Sequence, residues 1–179
     1  MKALVVYYSH SGNTTYVAQK IYYALQQYAE TDLVKLEYRS GGANPIMRLV
    51  YKLLPTLVDL APTTSDLKEY DIVCLGIPVV AGTPSSAISK YIRICDNIDK
   101  RKIVCLYVYG LEMNARRCAK YIRDVLLKSG KPNIIDIYVP WFKARDENAL
   151  NEVAQETLLK MGFSEAGPAT QKKEPTQEQ

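Results

Sequence analysis

The chain has 179 residues, 47% of them apolar and 23% charged, with 9 Gly, 9 Pro and a formal net charge of +4. That is the length of one domain with a short remainder, and such a chain buries roughly 70% of its unfolded surface without staples. A disulfide scaffold, a collagen-like chain and a wholly disordered one are excluded. No apolar run reaches the ~20 residues of a spanning helix, so no transmembrane segment is expected. The apolar N-terminus lacks a small-residue cleavage site, and a cytoplasmic protein is the expectation. Residues 91–145 hold 12 basic and 5 acidic side chains, and residues 146–179 hold 3 and 7. A local basic face fits this, but the composition is not that of a nucleic-acid-binding protein. Cys74, Cys95, Cys105 and Cys118, with the single His10, show no metal-site spacing and read as buried, reduced thiols.

Along the chain, strands and helices alternate. Ala3–Tyr8 is a continuous apolar run, as in a strand covered on both faces. Val17, Ile21, Leu25 and Tyr28 then place one apolar stripe on a helix starting near Asn13. Leu33–Glu37 reads as a second strand and Ile72–Gly76 as a third. Pro84-Ser85-Ser86 opens a helix with Ile88, Tyr91, Ile92 and Cys95 on one face. Ile103–Tyr109 is the fourth strand. Ala115, Ala119, Ile122 and Leu126 mark a helix stopping at Gly130, with Pro132 beyond. Ile134–Val139 is the fifth strand. Asp146 caps a last helix carrying Leu150, Val153, Ala154, Leu158 and Met161, which ends at Gly162.

Five strands joined this way imply an α/β domain over residues 1–163, a parallel sheet wrapped on both faces by right-handed crossovers. Residues 164–179 have no large apolar side chain and read as a disordered tail. An extra apolar helix, roughly Pro45 to Leu60, stands outside the pattern. Its Arg48 and Lys52 lie amid apolar residues, which suits a core helix, a homodimer contact or a lid.

Open sheets bind ligands beyond the carboxyl ends of their strands. After the first strand comes Ser9-His10-Ser11-Gly12-Asn13-Thr14, followed by Thr15 and leading straight into a helix. Hydroxyl and N–H donors there form a cup suited to a phosphate. The alternative is that one hydroxyl merely caps the helix. There is no Gly-x-Gly-x-x-Gly and no Gly-Lys-Ser/Thr, so dinucleotide and ATP or GTP fingerprints are missing. The missing acidic cluster beside the first strand excludes a phospho-acceptor receiver.

These residues resemble the flavodoxin family. Ser9-His10-Ser11-Gly12-Asn13-Thr14 matches its Ser/Thr-x-Ser/Thr-Gly-x-Thr loop at every defined position, and Gly76-Ile77-Pro78-Val79-Val80-Ala81-Gly82 is similar to its second flavin loop. The resemblance implies a flavodoxin-like three-layer sandwich with a five-stranded parallel sheet of order 2-1-3-4-5. It also implies a noncovalent FMN, the phosphate on Ser9, Ser11, Gly12, Asn13 and Thr14. The isoalloxazine would lie between the loop of Pro78, Val79, Val80, Ala81, Gly82 and Thr83 and the loop of Tyr109, Gly110, Leu111, Glu112 and Asn114. In the family a second-loop carbonyl bonds the reduced ring, and Gly82 or Ala81 is the matching position. His10 occupies the undefined position of the phosphate loop, where a cationic imidazole would suit a phosphate.

The chain departs from the pattern at Val80, where an aromatic is common, and in its basic stretch 91–145. Arg116, Lys120 and Arg123, with Arg117 alongside, form either a solvated face or a dock for NADPH phosphates or an acidic partner. Trp141-Phe142 packs the last helix or reaches a partner or the flavin. The implied function is FMN-dependent electron transfer with a redox partner protein or a small-molecule acceptor such as a quinone. An NAD(P)H-dependent FMN quinone reductase and a flavin-free interaction module on the same fold are the alternatives.

Overall fold

A computed structural model describes residues 1–39, 50–51 and 57–163. Its elements are β1 (Lys2–Tyr7), α1 (Asn13–Leu25), β2 (Glu30–Lys35), β3 (Ile72–Val80), β4 (Thr83–Pro84), α2 (Ser86–Ile94), β5 (Lys102–Tyr109), α3 (Glu112–Ser129), β6 (Asn133–Pro140), a 3-10 turn (Trp141–Lys143) and α4 (Glu147–Met161). Five strands pair in parallel in the spatial order β2-β1-β3-β5-β6. Counted along the parallel strands, this is the expected 2-1-3-4-5. The sixth strand, β4, pairs antiparallel with β3 and was not expected.

Side chains alternate across each strand, which divides the core in two. On one face Val5, Cys74, Val104 and Ile137 meet Val17, Ile21 and Leu25 of α1 and Leu150, Ala154 and Met161 of α4. On the other, Leu4, Val73, Ile103 and Tyr107 meet Ile88, Tyr91 and Ile92 of α2 and Cys118, Ile122 and Leu126 of α3. The central strands β1, β3 and β5 are therefore buried on both sides, which is why they read as unbroken apolar runs.

The four cysteines are free and buried. Burial pushes the thiols of Cys74, Cys95 and Cys118 up to about 12, and that of Cys105 up as well. With almost no thiolate at neutral pH they are poor nucleophiles. Ellman's reagent should titrate none of them in the native protein and all four in denaturant; rapid reaction of a native thiol would contradict the packing.

Several boundaries differ from the sequence reading. The second strand runs from Glu30 to Lys35 rather than Leu33–Glu37, because an edge strand paired on one side tolerates the polar Glu30-Thr31-Asp32. α1 ends at Leu25, so Tyr28 falls outside it and packs instead on Phe163, ring centroids 4.6 Å apart. β3 continues four residues past Gly76. Pro84 does not open the helix: it lies in β4 opposite Val79, and Ser85 is the cap, its Oγ accepting the Ile88 N–H at 3.4 Å. Asp146 caps α4 as expected, accepting the Ala149 N–H at 2.8 Å, and the helix stops at Gly162. The expected helix Pro45–Leu60 lies largely outside the described residues, as does the tail 164–179. Of its described residues Val50 and Tyr51 are helical, whereas residues 58–60 are not. Arg39 N–H donates to the Asp59 carbonyl and Ala61 N–H to the Glu37 carbonyl, both at 2.9 Å, and Tyr38 bridges Leu60 antiparallel.

A small polar cluster ties β1 to β2. The Tyr70 hydroxyl donates to Asp32 at 2.7 Å, and the Lys2 ammonium lies 3.3 Å from the same carboxylate. These two groups, Tyr70 first, hold Asp32 below the usual carboxylate range. A lowered folded-state pKa stabilises the fold above the unfolded value of about 3.9 and loses that contribution as pH falls through the folded value. Asp32→Asn should cost at most about 1 kcal/mol at neutral pH, since the group is partly exposed. The difference from wild type should vanish in acid, and thermal melts from neutral to acid pH check it.

Candidate functional site at the carboxyl ends of the strands

The loop between β1 and α1 is built around Gly12, the N-cap of α1, with φ +88°. No side chain caps the helix. Ser9 Oγ instead accepts the Gly12 N–H at 3.1 Å and closes the loop on itself. The capping role considered for these hydroxyls is therefore not the one they take. A helix N-terminus whose first-turn N–H groups lack a side-chain acceptor carries partial positive charge and suits an anion. Thr14 is buried, its methyl facing Gly76; Ser9, Gly12 and Asn13 are half-buried; His10 and Ser11 are exposed.

The second expected loop is a hairpin. β3 runs through Pro78, Val79 and Val80, turns at Ala81–Gly82, and returns as Thr83 and Pro84. Thr83 Oγ1 donates to the Val80 carbonyl at 2.9 Å. Ala81 and Gly82 have φ +50° and +81°, the left-handed pair of a two-residue type I′ turn. Such a backbone costs Ala81 roughly 1–2 kcal/mol, strain of the kind that gathers at functional sites. So Pro78, Val79, Val80 and Thr83 are strand residues rather than loop residues, with Val80 exposed at the rim.

The third segment follows β5. Tyr109 is its last residue, half-buried, and Gly110 and Leu111 are the connection. Glu112 and Asn114 belong to the first turn of α3, not to a loop, because α3 starts at once after Leu111. Gly82 and α3 are in close contact. A Cβ on Gly82 would lie 2.9 Å from Arg117 Cδ and 3.4 Å from Asn114 Oδ1. The structure thus joins the second and third segments through Gly82 and the first to β3 through Thr14 and Gly76.

The sequence reading left three features of this site open or unassigned. Trp141 and Phe142 do not bury against α4; they are 56% and 64% exposed. Trp141 lies beside the third segment, its Cδ1 3.7 Å from where a Gly110 Cβ would stand. With Val80, Leu111 and Met113 they line the carboxyl end with exposed apolar groups. Arg145 is the second. Its Nε donates to Asn13 Oδ1 and its Nη2 to the Ser11 carbonyl, both at 2.9 Å. No local spacing could have announced a contact across more than 130 positions. The third is Arg117 on the hairpin turn. Two of its basic row are paired: Arg116 with Glu112 four residues back, and Arg123 with Asp136 at 2.6 Å, while Lys120 is exposed. As a dock for phosphates, the row is reduced accordingly.

A groove of about 710 Å³ lies elsewhere, between α1 and α4, flanked by Tyr23, Tyr28 and Phe163 and the Lys20–Glu147 ion pair. None of the three segments lines it, and it lies on helix flanks rather than at strand ends, where parallel sheets hold ligands. Among the described residues no group of three or more His, Cys, Asp or Glu could hold a metal ion, and no helix is long and apolar enough to cross a membrane.

A doubly wound sheet with this strand order is the flavodoxin fold, and the chain has that fold. No family profile and no curated protein sequence matches the chain. Solved structures do. A Bacteroides eggerthii chain assigned to the flavoproteins is similar at TM-score 0.67 and 17% identity, over 91% of this chain and 99% of that one. An oxidised flavodoxin from Bacillus cereus is similar at TM-score 0.60 and 14% identity, over 92% and 100%. An azoreductase is similar at TM-score 0.57 and 15% identity, over 87% and 98%.

Proposed function

We propose that this chain binds FMN at the carboxyl ends of β1, β3 and β5 and works in electron transfer. The observation that carries the reading is the uncapped N-terminus of α1, with Gly12 left-handed and hydroxyls at Ser9, Ser11 and Thr14, on a flavodoxin fold. Those donors fit a phosphate dianion, at about 1.5–3 kcal/mol for each hydrogen bond to a charged acceptor. The strained Ala81–Gly82 turn and the Tyr109–Asn114 segment would flank the isoalloxazine. Bound there, FMN would supply one- and two-electron redox chemistry. Val80, Leu111 and Met113 would offer exposed apolar surface to the ring, and Arg117 places a positive charge against the 81–82 turn.

An NAD(P)H-dependent reductase of a quinone or similar flat acceptor is the second reading. The exposed apolar rim, extended by Trp141 and Phe142, favours it, since a carrier that meets only proteins has less need of one. Both readings expect flavin absorption from the purified protein, or after loading with FMN and removing the excess. They part on turnover: steady NAD(P)H oxidation with a quinone supports the enzyme. Reduction only through another protein supports the carrier.

A further inference from the structure

We propose that Arg145 is a positioning residue of the phosphate loop and makes the site select a phosphomonoester over its uncharged analogue. The inference rests on the FMN reading and assigns a residue outside the loop to it. The guanidinium straddles Gly12: one N–H holds the Asn13 side-chain oxygen and another holds the Ser11 carbonyl, each at 2.9 Å. A planar fork holds two points of a loop in a fixed geometry, which a compact ammonium on a flexible stem does less well. Nη2 also lies 3.6 Å from where a Gly12 Cβ would stand, and the guanidinium carbon lies 5.3 Å from the Tyr16 ring centroid.

The backbone carrying it is held on both sides. Ala144 is fully buried, and Asp146 is the N-cap of α4 through its bond to the Ala149 N–H. Lys20 in the middle of α1 pairs with Glu147 at the start of α4, so the start of α4 is tied to α1. Arg145 therefore enters the first loop from a rigid point and fixes Ser11–Asn13 around the left-handed Gly12. It also sets a permanent positive charge beside the donors. Ordering a loop before binding removes part of the cost of ordering it on binding, and the charge favours a dianion.

The test compares FMN with riboflavin, which has the same ring and no phosphate, on the full chain by fluorescence titration. Wild type should prefer FMN, and Arg145→Gln should weaken FMN by about 10- to 100-fold while riboflavin affinity changes less than about twofold. Arg145→Lys keeps charge but not the fork, so it should retain the salt dependence of FMN binding and regain only part of the affinity. An unchanged FMN-to-riboflavin ratio in Arg145→Gln overturns the proposal, as does equal weakening of both ligands. If Arg145→Gln does not fold, Arg145→Lys decides alone: a ratio equal to wild type overturns it, and a reduced ratio supports it. A wild type that binds the two ligands equally, or neither, contradicts the FMN-phosphate reading itself, and that outcome is distinct from the others.

Discussion

Gly76→Ala should destabilise the protein by about 3 kcal/mol, at the upper end of overpacking penalties. At roughly 2–4 °C per kcal/mol for a chain of this size, the melting midpoint should fall by about 6–12 °C. A Cβ at position 76 would stand 2.6 Å from Tyr7 Cβ, 3.1 Å from Thr14 Cγ2 and 3.5 Å from Tyr7 Cα. Tyr7 Cβ cannot swing away as the end of a long side chain can, because its position is set by the backbone. That backbone pairs with β2 on one side and β3 on the other. The strands must separate where the first loop leaves β1, so Thr14 and the cup move too. The variant should therefore lose FMN affinity along with stability. A melting midpoint within about 2 °C of wild type would show that β1 and β3 are not packed as described.

Ser11→Asp should have the largest effect on binding, and its two consequences have opposite signs. Ser11 is exposed, so the fold should accept the change. A carboxylate beside the uncapped N-terminus of α1 interacts favourably with the helix dipole, typically by about 0.3–1 kcal/mol. The apoprotein should melt at the same temperature or slightly higher. The same charge opposes an incoming phosphate: two unit charges about 5 Å apart at an effective dielectric of about 20 repel by about 3 kcal/mol. FMN affinity should fall by more than about 100-fold. Titration and melting of one preparation check both signs, and a variant that binds FMN normally would remove the phosphate from this loop.

Much of this fold is legible in the chain because the central strands obey a strong rule. Ala3–Tyr7, Ile72–Ile77 and Ile103–Val108 are apolar without a break, and only a strand covered on both faces sustains that. Val17, Ile21 and Leu25 announce α1 by their spacing alone, and Asp146 and Gly162 bracket α4. The edge strand β2 is less legible because pairing, not burial, places Glu30 and Asp32 in it. β4 was invisible because two residues carry no periodicity; its signal was the Ala81–Gly82 pair, read as a loop rather than a turn.

At the candidate site, the first loop is legible because its donors are consecutive. Arg145 is not, since what brings it to the loop after β1 is the order of strands in the sheet, and that order also decides among the places the sequence left open for Trp141. Neighbouring residues give no notice of that. The same holds for the partner of Arg123, whereas that of Arg116 lies four residues back on its own helix, at a spacing that can be read locally. The spacing of the two arginines suggests a cationic face, while Glu112 and Asp136 are supplied by a helix turn and by β6.

The central claim is that a flavin phosphate sits in the Ser9–Thr14 cup, and fluorescence titration of FMN with the purified chain tests it most directly. The account predicts saturable quenching at one FMN per chain, weakened by salt and lost in Ser11→Asp while the variant stays folded. FMN fluorescence that does not change on adding excess wild-type protein would contradict it.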